Sequence, residues 1–152
     1  MKLTFLIADN CLASGIVSLL DTLTIANLWQ QKLTSNYKQL FTTELVSLDG
    51  GVVNTGGGVQ LVAAKALAET GDTEYIVIPP FLPVGSWEAN TKKELTSWLR
   101  AKHRAGVPIA ALCTGSFLLA ETGLLDGRQP PTGSLPAGSS VTIPRSTSDR
   151  RR

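Results

Sequence analysis

The sequence predicts an α/β fold, an open, doubly wound parallel sheet with helices on both faces. Two observations carry this prediction. Short apolar runs alternate with longer segments of helical apolar spacing, and the run at residues 108–112 leads straight into a helix through one cysteine. Such alternation is typical of parallel strands joined by crossover helices. With 152 residues, 43% of them hydrophobic, the chain is long enough for one domain with a full core.

The predicted elements follow in order along the chain. Strands are expected at residues 3–8, 41–48, 74–79 and 108–112, most of which are short apolar runs. Helices are expected where apolar residues recur at helical spacing, at residues 15–29, 60–69, 87–105 and 115–122. Turn signals at residues 49–51 and 54–58 predict a short hairpin arm between them. In the charged helix 87–105 we expect Leu95, Trp98 and Leu99 to face inward and His103 to lie exposed, without a catalytic role.

The composition changes at residue 129. Residues 129–152 contain four prolines and no apolar periodicity, so we expect a domain over 1–128 followed by a disordered tail over 129–152. The net charge is +2, but four arginines lie within the last eight residues, so the body upstream is mildly acidic. A basic footprint for nucleic acid is therefore not expected on the folded part.

Several other classes of protein are disfavoured. Two cysteines do not make a disulfide framework, and neither they nor the single histidine show metal-ligand spacing, so no metal and no cofactor are predicted. The N-terminal apolar run is too short for a signal peptide, and no run is long enough to span a membrane. We expect a cytoplasmic protein that binds neither a membrane nor nucleic acid.

The chemistry of the chain centres on Cys113. It stands between an apolar strand and the start of a helix, where a sharp turn exposes a side chain at the top of a parallel sheet. Unpaired N–H groups at a helix start favour a thiolate over a thiol. The alternative interpretation is a buried cysteine that ends a core strand.

Ligands of open α/β sheets bind at the carboxyl edge of the strands. Residues that follow the strands at this edge are predicted to line a pocket above Cys113, namely Cys11, Pro80, Phe81, Thr114 and Gly115. For Cys11 the alternative is a small buried turn residue. Trp87 is a further candidate for the pocket wall, beside Phe81.

The run ALCTGSFLLAETGLLDGR, residues 111–128, resembles the elbow of the ThiJ/PfpI family of the class I glutamine amidotransferase-like fold. The most similar branch is the domain at the N-terminus of AraC-type transcriptional regulators. The resemblance covers about residues 3 to 128, including Gly50-Gly51 and the strand EYIVIP. It implies a flavodoxin-like sandwich, a cysteine at the elbow and frequent dimerisation.

The chain departs from what the resemblance implies for catalytic members. There the cysteine works with an acidic residue near the start of the first helix, a histidine after the elbow helix, and N–H groups of a glycine pair. Here residues 13–15 are Ala, Ser and Gly, and residues 79–81 are Pro, Pro and Phe. Because proline has no N–H to donate, the donors that would hold an oxyanion are missing from this position. An enzyme is therefore the less favoured interpretation.

The missing histidine has an explanation in the tail. Relatives in this branch continue after Gly-Arg with a segment like Ala-Thr-Thr-His-Trp, and a shifted reading of the codons for residues 129–133 permits that segment. We expect a frameshift near Arg128; the alternative is a genuine tail rich in Ser, Pro and Arg. A frameshift would leave the C-terminal part of the fold truncated and remove any helix-turn-helix that followed.

The favoured function is a small-molecule-sensing domain, a fragment of an AraC-type regulator. Its expected partners are a small-molecule ligand and a second copy in a homodimer. Two alternatives stay open: a hydrolase, hydratase or glyoxalase-like enzyme with Cys113 as its nucleophile, and a truncated product without function.

Overall fold

A computed structural model describes residues 1–35, 37–126 and 140–143. Six strands within the described residues form one sheet, namely β1 (Lys2–Leu6), β2 (Thr42–Ser47), β5 (Lys65–Ala66), β6 (Tyr75–Ile78), β7 (Ile109–Leu112) and β8 (Ser140–Ile143). Their order across the sheet is β5-β2-β1-β6-β7-β8. A separate antiparallel hairpin consists of β3 (Gly51–Asn54) and β4 (Gln60–Ala63). The α-helices are α1 (Ala13–Leu33), α2 (Ala89–Arg104) and α3 (Gly115–Glu121).

The sheet is mostly parallel, which confirms the predicted fold class. Strand β1 pairs in parallel with both β2 and β6, and β6 pairs in parallel with β7. The chain steps from β1 to β2 in one direction and from β6 to β7 in the other. Because parallel crossovers are right-handed, these two steps place α1 and α2 on opposite faces of the sheet. The direction of the connections therefore reverses between β1 and β6. Open α/β sheets bind ligands at such a point, beyond the carboxyl ends of the strands.

One strand lies where the sequence predicted no structure. Residues 140–143 form β8, which pairs antiparallel with β7, so the prediction of disorder is wrong for these four residues. The physical reason is that β7 would otherwise present an unpaired edge of N–H and C=O groups. The rest of the predicted tail, together with the proposed frameshift position at Arg128, lies outside the described residues.

The prediction of a helix at residues 60–69 is wrong. Residues 60–63 form β4, whose Val62 lies opposite Val52 of β3, and residues 65–66 form β5 beside β2. Only Leu67–Glu69 is helical, as one turn of 3-10 helix. The segment QLVAAKALAE has good helix propensity, but strand partners supplied by distant parts of the chain outweigh that preference.

The buried face of α2 extends further than expected. Leu95, Leu99 and His103 follow one another at four-residue spacing and lie on the same buried face. His103 is only 5% exposed, so the prediction of an exposed histidine is wrong.

Within the part of the chain that the structure describes, no helix is both long and apolar enough to span a membrane.

Candidate functional site

A sharp turn carries Cys113 from β7 into α3. Strand β7 ends at Leu112 and α3 begins at Gly115, so the reversal is made within two residues. Cys113 has a φ of +46°, a left-handed conformation that costs a non-glycine residue free energy. The residue is exposed. The turn therefore has the elbow geometry that the sequence predicts, and the alternative of a buried cysteine is wrong.

Three loops at the carboxyl edge of the sheet are tied together beneath this elbow. The Thr114 hydroxyl donates to the carbonyl oxygen of Phe81 at 2.9 Å and accepts from the Phe81 N–H at 3.0 Å. The Leu12 N–H donates to the carbonyl oxygen of Pro80 at 2.9 Å. Cys11 and Phe81 form an isolated antiparallel bridge. The loops after β1, β6 and β7 thus hold one another in place.

The predicted pocket residues are brought together, and most of them are buried. Cys11, Pro80, Phe81 and Gly115 lie inside the packed edge, whereas Thr114 is half-buried. The contacts of Phe81 with Cys11 and Thr114 join the loops of the site. A direct contact of these residues with a ligand stays a prediction.

Close packing at Gly15 leaves no room for a side chain. A Cβ atom at Gly15 would lie 2.7 Å from Cδ of Pro80, inside van der Waals contact. The start of α1 therefore faces the ring of Pro80 directly. The carboxylate that the resemblance implies for catalytic members is absent from residues 13–15, and the structure has no space for one at Gly15.

The thiol of Cys113 has no hydrogen-bond partner among the described residues. The contacts at this position go to the backbone, because the N–H and the hydroxyl of Ser116 both donate to the Cys113 carbonyl oxygen. His103, near the C-terminus of α2, lies at the opposite edge of the sheet, where β7 begins. Within residues 1–35, 37–126 and 140–143, no cluster of three His, Cys, Asp or Glu side chains could hold a metal ion.

The second cysteine differs from the first in exposure. Cys11 is buried, and burial raises the pKa of its thiol. Hydrogen bonds with the backbone of Ala8 and of Cys11 itself act in the opposite direction but are outweighed. Its place in the buried bridge with Phe81 agrees with the alternative of a small turn residue. A raised pKa keeps Cys11 in the thiol form, which is the unreactive form.

The two cysteines are therefore expected to differ in alkylation. Treatment of the folded chain with iodoacetamide near neutral pH should modify Cys113 at least tenfold faster than Cys11, because only Cys113 is exposed. Intact mass with peptide mapping measures both rates. Cys113→Ser is the matched control: it should remove the fast phase and leave the slow one, and equal rates in the parent chain would contradict the assignment.

A ligand-sized cleft opens at the same edge of the sheet, and the sequence did not predict it. It has a volume of about 420 Å³. It is lined by the chain after β1, the end of β2 with the chain after it, strand β3, and the start of α2 with the segment before it, namely residues 8–10, 47–50, 52–53, 86–88 and Thr91. We call it the β1–β2 cleft. Cys113 is not among its lining residues.

The aromatic wall of the β1–β2 cleft is fixed from behind. Trp87 lines the cleft, and its ring meets the buried ring of Phe81 edge to face, with centroids 4.9 Å apart and planes at 79°. Trp87 was expected to wall a pocket above Cys113, but it walls this cleft. A usable sequence signal was available: Asp9 and Asp49 are polar residues that follow closely after two adjacent parallel strands.

Comparison with known proteins gives one family and several relatives. The model of the DJ-1/PfpI family matches residues 1–137. The HTH-type transcriptional regulator CdhR of Pseudomonas aeruginosa is 32% identical over 127 residues, which is 82% of this chain and 34% of the regulator. The HTH-type transcriptional regulator GbdR of the same species is 30% identical over 123 residues, 81% of this chain and 31% of the regulator. The chain thus spans about a third of the length of these curated relatives.

Solved structures show the same fold. An AraC family transcriptional regulator from Pseudomonas putida superposes with a TM-score of 0.64 at 22% identity, covering 82% of this chain and 72% of that one. Oxidised DJ-1 of Toxoplasma gondii superposes with a TM-score of 0.60 at 25% identity, covering 83% of this chain and 63% of that one.

Proposed function

The chain belongs to the DJ-1/PfpI family, and we propose that it is a small-molecule-sensing domain of an AraC-type transcriptional regulator. The observation that carries this proposal is the position of the β1–β2 cleft. It is large enough for a small organic molecule, yet its lining does not include the elbow thiol. A molecule held there binds without being presented to Cys113, which suits a sensor better than an enzyme.

The proposal divides the work of a regulator between this chain and other parts. The relatives are about three times as long as their matched segment, and their names describe transcriptional regulators. We assign ligand binding in the cytoplasm to this domain and contacts with DNA to parts of the regulator outside it.

The test of the sensing function is ligand binding without turnover. Thermal denaturation of the full chain with a panel of small metabolites should identify one that raises the Tm. A ligand at a hundred times its Kd stabilises a folded state by about 2.7 kcal/mol. Nuclear magnetic resonance should find that ligand unchanged after prolonged incubation, and Cys113→Ser should keep the shift. Consumption of the ligand by the parent chain would refute the sensor proposal.

A second candidate function rests on the backbone at Cys113. An exposed cysteine held at positive φ is a conformation that clusters at functional sites. This observation favours a hydrolase, hydratase or glyoxalase-like enzyme with Cys113 as the nucleophile. Turnover of a substrate that is abolished by Cys113→Ser would establish it, provided that the variant keeps the same Tm.

We further propose that the chain forms a homodimer through α1. The second half of this helix exposes large apolar side chains, and the chain just beyond it adds two more: Ile25, Leu28, Trp29, Leu33, Tyr37 and Leu40, each 40–77% exposed. Contiguous apolar surface of this kind is typical of an interface. A second copy of the same chain would cover it by symmetry, helix against helix.

The dimer proposal predicts a change of mass in solution. The parent chain should sediment as a dimer at micromolar concentration, and the double variant Leu28→Lys, Leu33→Glu should sediment as a monomer. Val62→Glu is the control, because the exposure of Val62 (65%) lies between those of Leu28 (52%) and Leu33 (77%) but Val62 lies on the hairpin; it should leave the dimer intact. A parent chain that sediments as a monomer would contradict the proposal.

A further inference from the structure

The β1–β2 cleft has an acidic lining. Asp9 follows β1, Asp49 follows β2 and Glu88 precedes α2, and all three line the cleft. The lining contains no lysine, arginine or histidine. None of the three carboxylates makes an ion pair with another described residue. Unpaired charges of one sign around a concave surface concentrate counter-ions of the opposite sign, so the cleft favours a positively charged occupant.

One of these carboxylates is held in place by the fold. Oδ1 of Asp9 accepts a hydrogen bond from the Asn54 N–H at 2.9 Å, which ties the loop after β1 to the hairpin. The second oxygen of Asp9 has no hydrogen-bond partner among the described residues. A carboxylate that is fixed on one side and open on the other is ready to receive a donor from a ligand.

Ser47 supplies an independent sign of a ligand. It is the last residue of β2, it lines the cleft, and it is only 4% exposed. Its hydroxyl makes no hydrogen bond with another residue in the part of the chain that the structure describes, and its oxygen is not one of the fully buried unpartnered atoms. The side chain is otherwise enclosed, so its oxygen keeps access to the cleft, where it can donate or accept a hydrogen bond. A hydroxyl or amine group of a bound molecule would provide the partner for that bond.

The size of the cleft suits an organic molecule better than a bare metal ion. Among the described residues no three acidic, His or Cys side chains lie close enough to coordinate a metal. A volume of about 420 Å³ lies in the range of pockets that enclose small organic molecules. The half-buried ring of Trp87, supported by Phe81, adds an aromatic wall, and such rings attract organic cations.

We propose that the β1–β2 cleft binds a small organic cation, one that carries an ammonium or guanidinium group. This inference rests on the proposed sensing function and adds its ligand class. The positive charge lies near Asp9, Asp49 and Glu88 against Trp87, and a polar group of the ligand bonds to Ser47.

The first experiment compares matched probes on the full 152-residue chain. Isothermal titration calorimetry is carried out with cadaverine, with pentanediol as its uncharged analogue, and with glutarate as its anionic one. Choline and its uncharged isostere dimethylbutanol form a second pair with a bulkier head group. At least one cation should bind about tenfold more tightly than its neutral partner, and glutarate should not bind. If neither cation binds more tightly than its neutral partner, the proposal is overturned.

The second experiment assigns the binding to the cleft. The double variant Asp49→Asn, Glu88→Gln should weaken binding of the preferred cation by about tenfold. Asp21→Asn, Asp72→Asn is the matched control: both residues are exposed and outside the cleft, and the net charge changes by the same amount. The control should change affinity less than twofold. An equal loss in both variants would mean non-specific attraction and would overturn the proposal.

The outcomes also separate this inference from the function on which it rests. A neutral or anionic metabolite that raises the Tm and is recovered unchanged would overturn the cation class and leave the sensing function standing. Ser47→Ala should weaken the preferred cation about threefold while the Tm of the free chain does not fall, because the hydroxyl has no partner in the protein to lose.

Discussion

Substitution of Gly115 by alanine is expected to destabilise the domain by about 3 kcal/mol or more. The added Cβ would lie 2.4 Å from the carbonyl oxygen of Pro79 and 2.9 Å from that of Ile78. Both are backbone atoms at the end of β6, so no side-chain rotation relieves the clash. The start of α3 would have to move away from β6, and the paired hydrogen bonds between Thr114 and Phe81 would break.

Urea denaturation followed by far-ultraviolet circular dichroism measures this effect. Gly71→Ala is the matched control, because a Cβ at Gly71 meets no atom within 4 Å and its φ is not in the left-handed region. The control should change the free energy of unfolding by less than about 0.5 kcal/mol. If Gly115→Ala lost less than about 1 kcal/mol, α3 would be free to shift and the close approach to β6 would not be a constraint on the elbow.

The parts of the fold that were predicted correctly are those whose signal is local. The strands β1, β6 and β7 are short, mostly apolar runs, β2 ends just before a turn signal, and α1 and α2 show helical spacing, so each is predicted from adjacent residues. Residues 60–69 failed because their structure depends on β2 and β3, which pair with them from elsewhere in the chain. Neither the composition of that segment nor the spacing of its apolar residues indicates that β2 and β3 would pair with it.

For the candidate site, too, the features with a local sequence signal could be predicted and those built from distant segments could not. The elbow at Cys113 could be predicted because strand, turn and helix are contiguous. The β1–β2 cleft could not, because four separate segments line it and the unpaired hydroxyl of Ser47 becomes meaningful only after folding. The burial of His103 was available in principle: it continues the four-residue spacing of Leu95 and Leu99. The charged residues on either side of it obscured that pattern.

Among the side chains at the carboxyl edge of the sheet, the buried ring of Phe81 is expected to contribute most to stability. Its ring is fully buried, it supports Trp87, and its backbone pairs with Thr114 and bridges to Cys11. Phe81→Ala should cost about 3–5 kcal/mol, because it removes a large buried side chain and leaves a cavity. Thermal and urea denaturation measure the loss.

Phe117→Ala is the matched control for this prediction, since Phe117 is the same residue type on α3 but 54% exposed; it should cost less than about 1 kcal/mol. Phe81→Ala should also weaken cation binding at temperatures where the variant is still folded, because Trp87 loses the ring against which it packs. Phe117 does not line the cleft, so its variant should bind normally. A Phe81→Ala variant with lowered stability but unchanged affinity would mean that Trp87 holds its place without Phe81. The wall of the cleft would then be built by the segment before α2 alone, independently of the elbow.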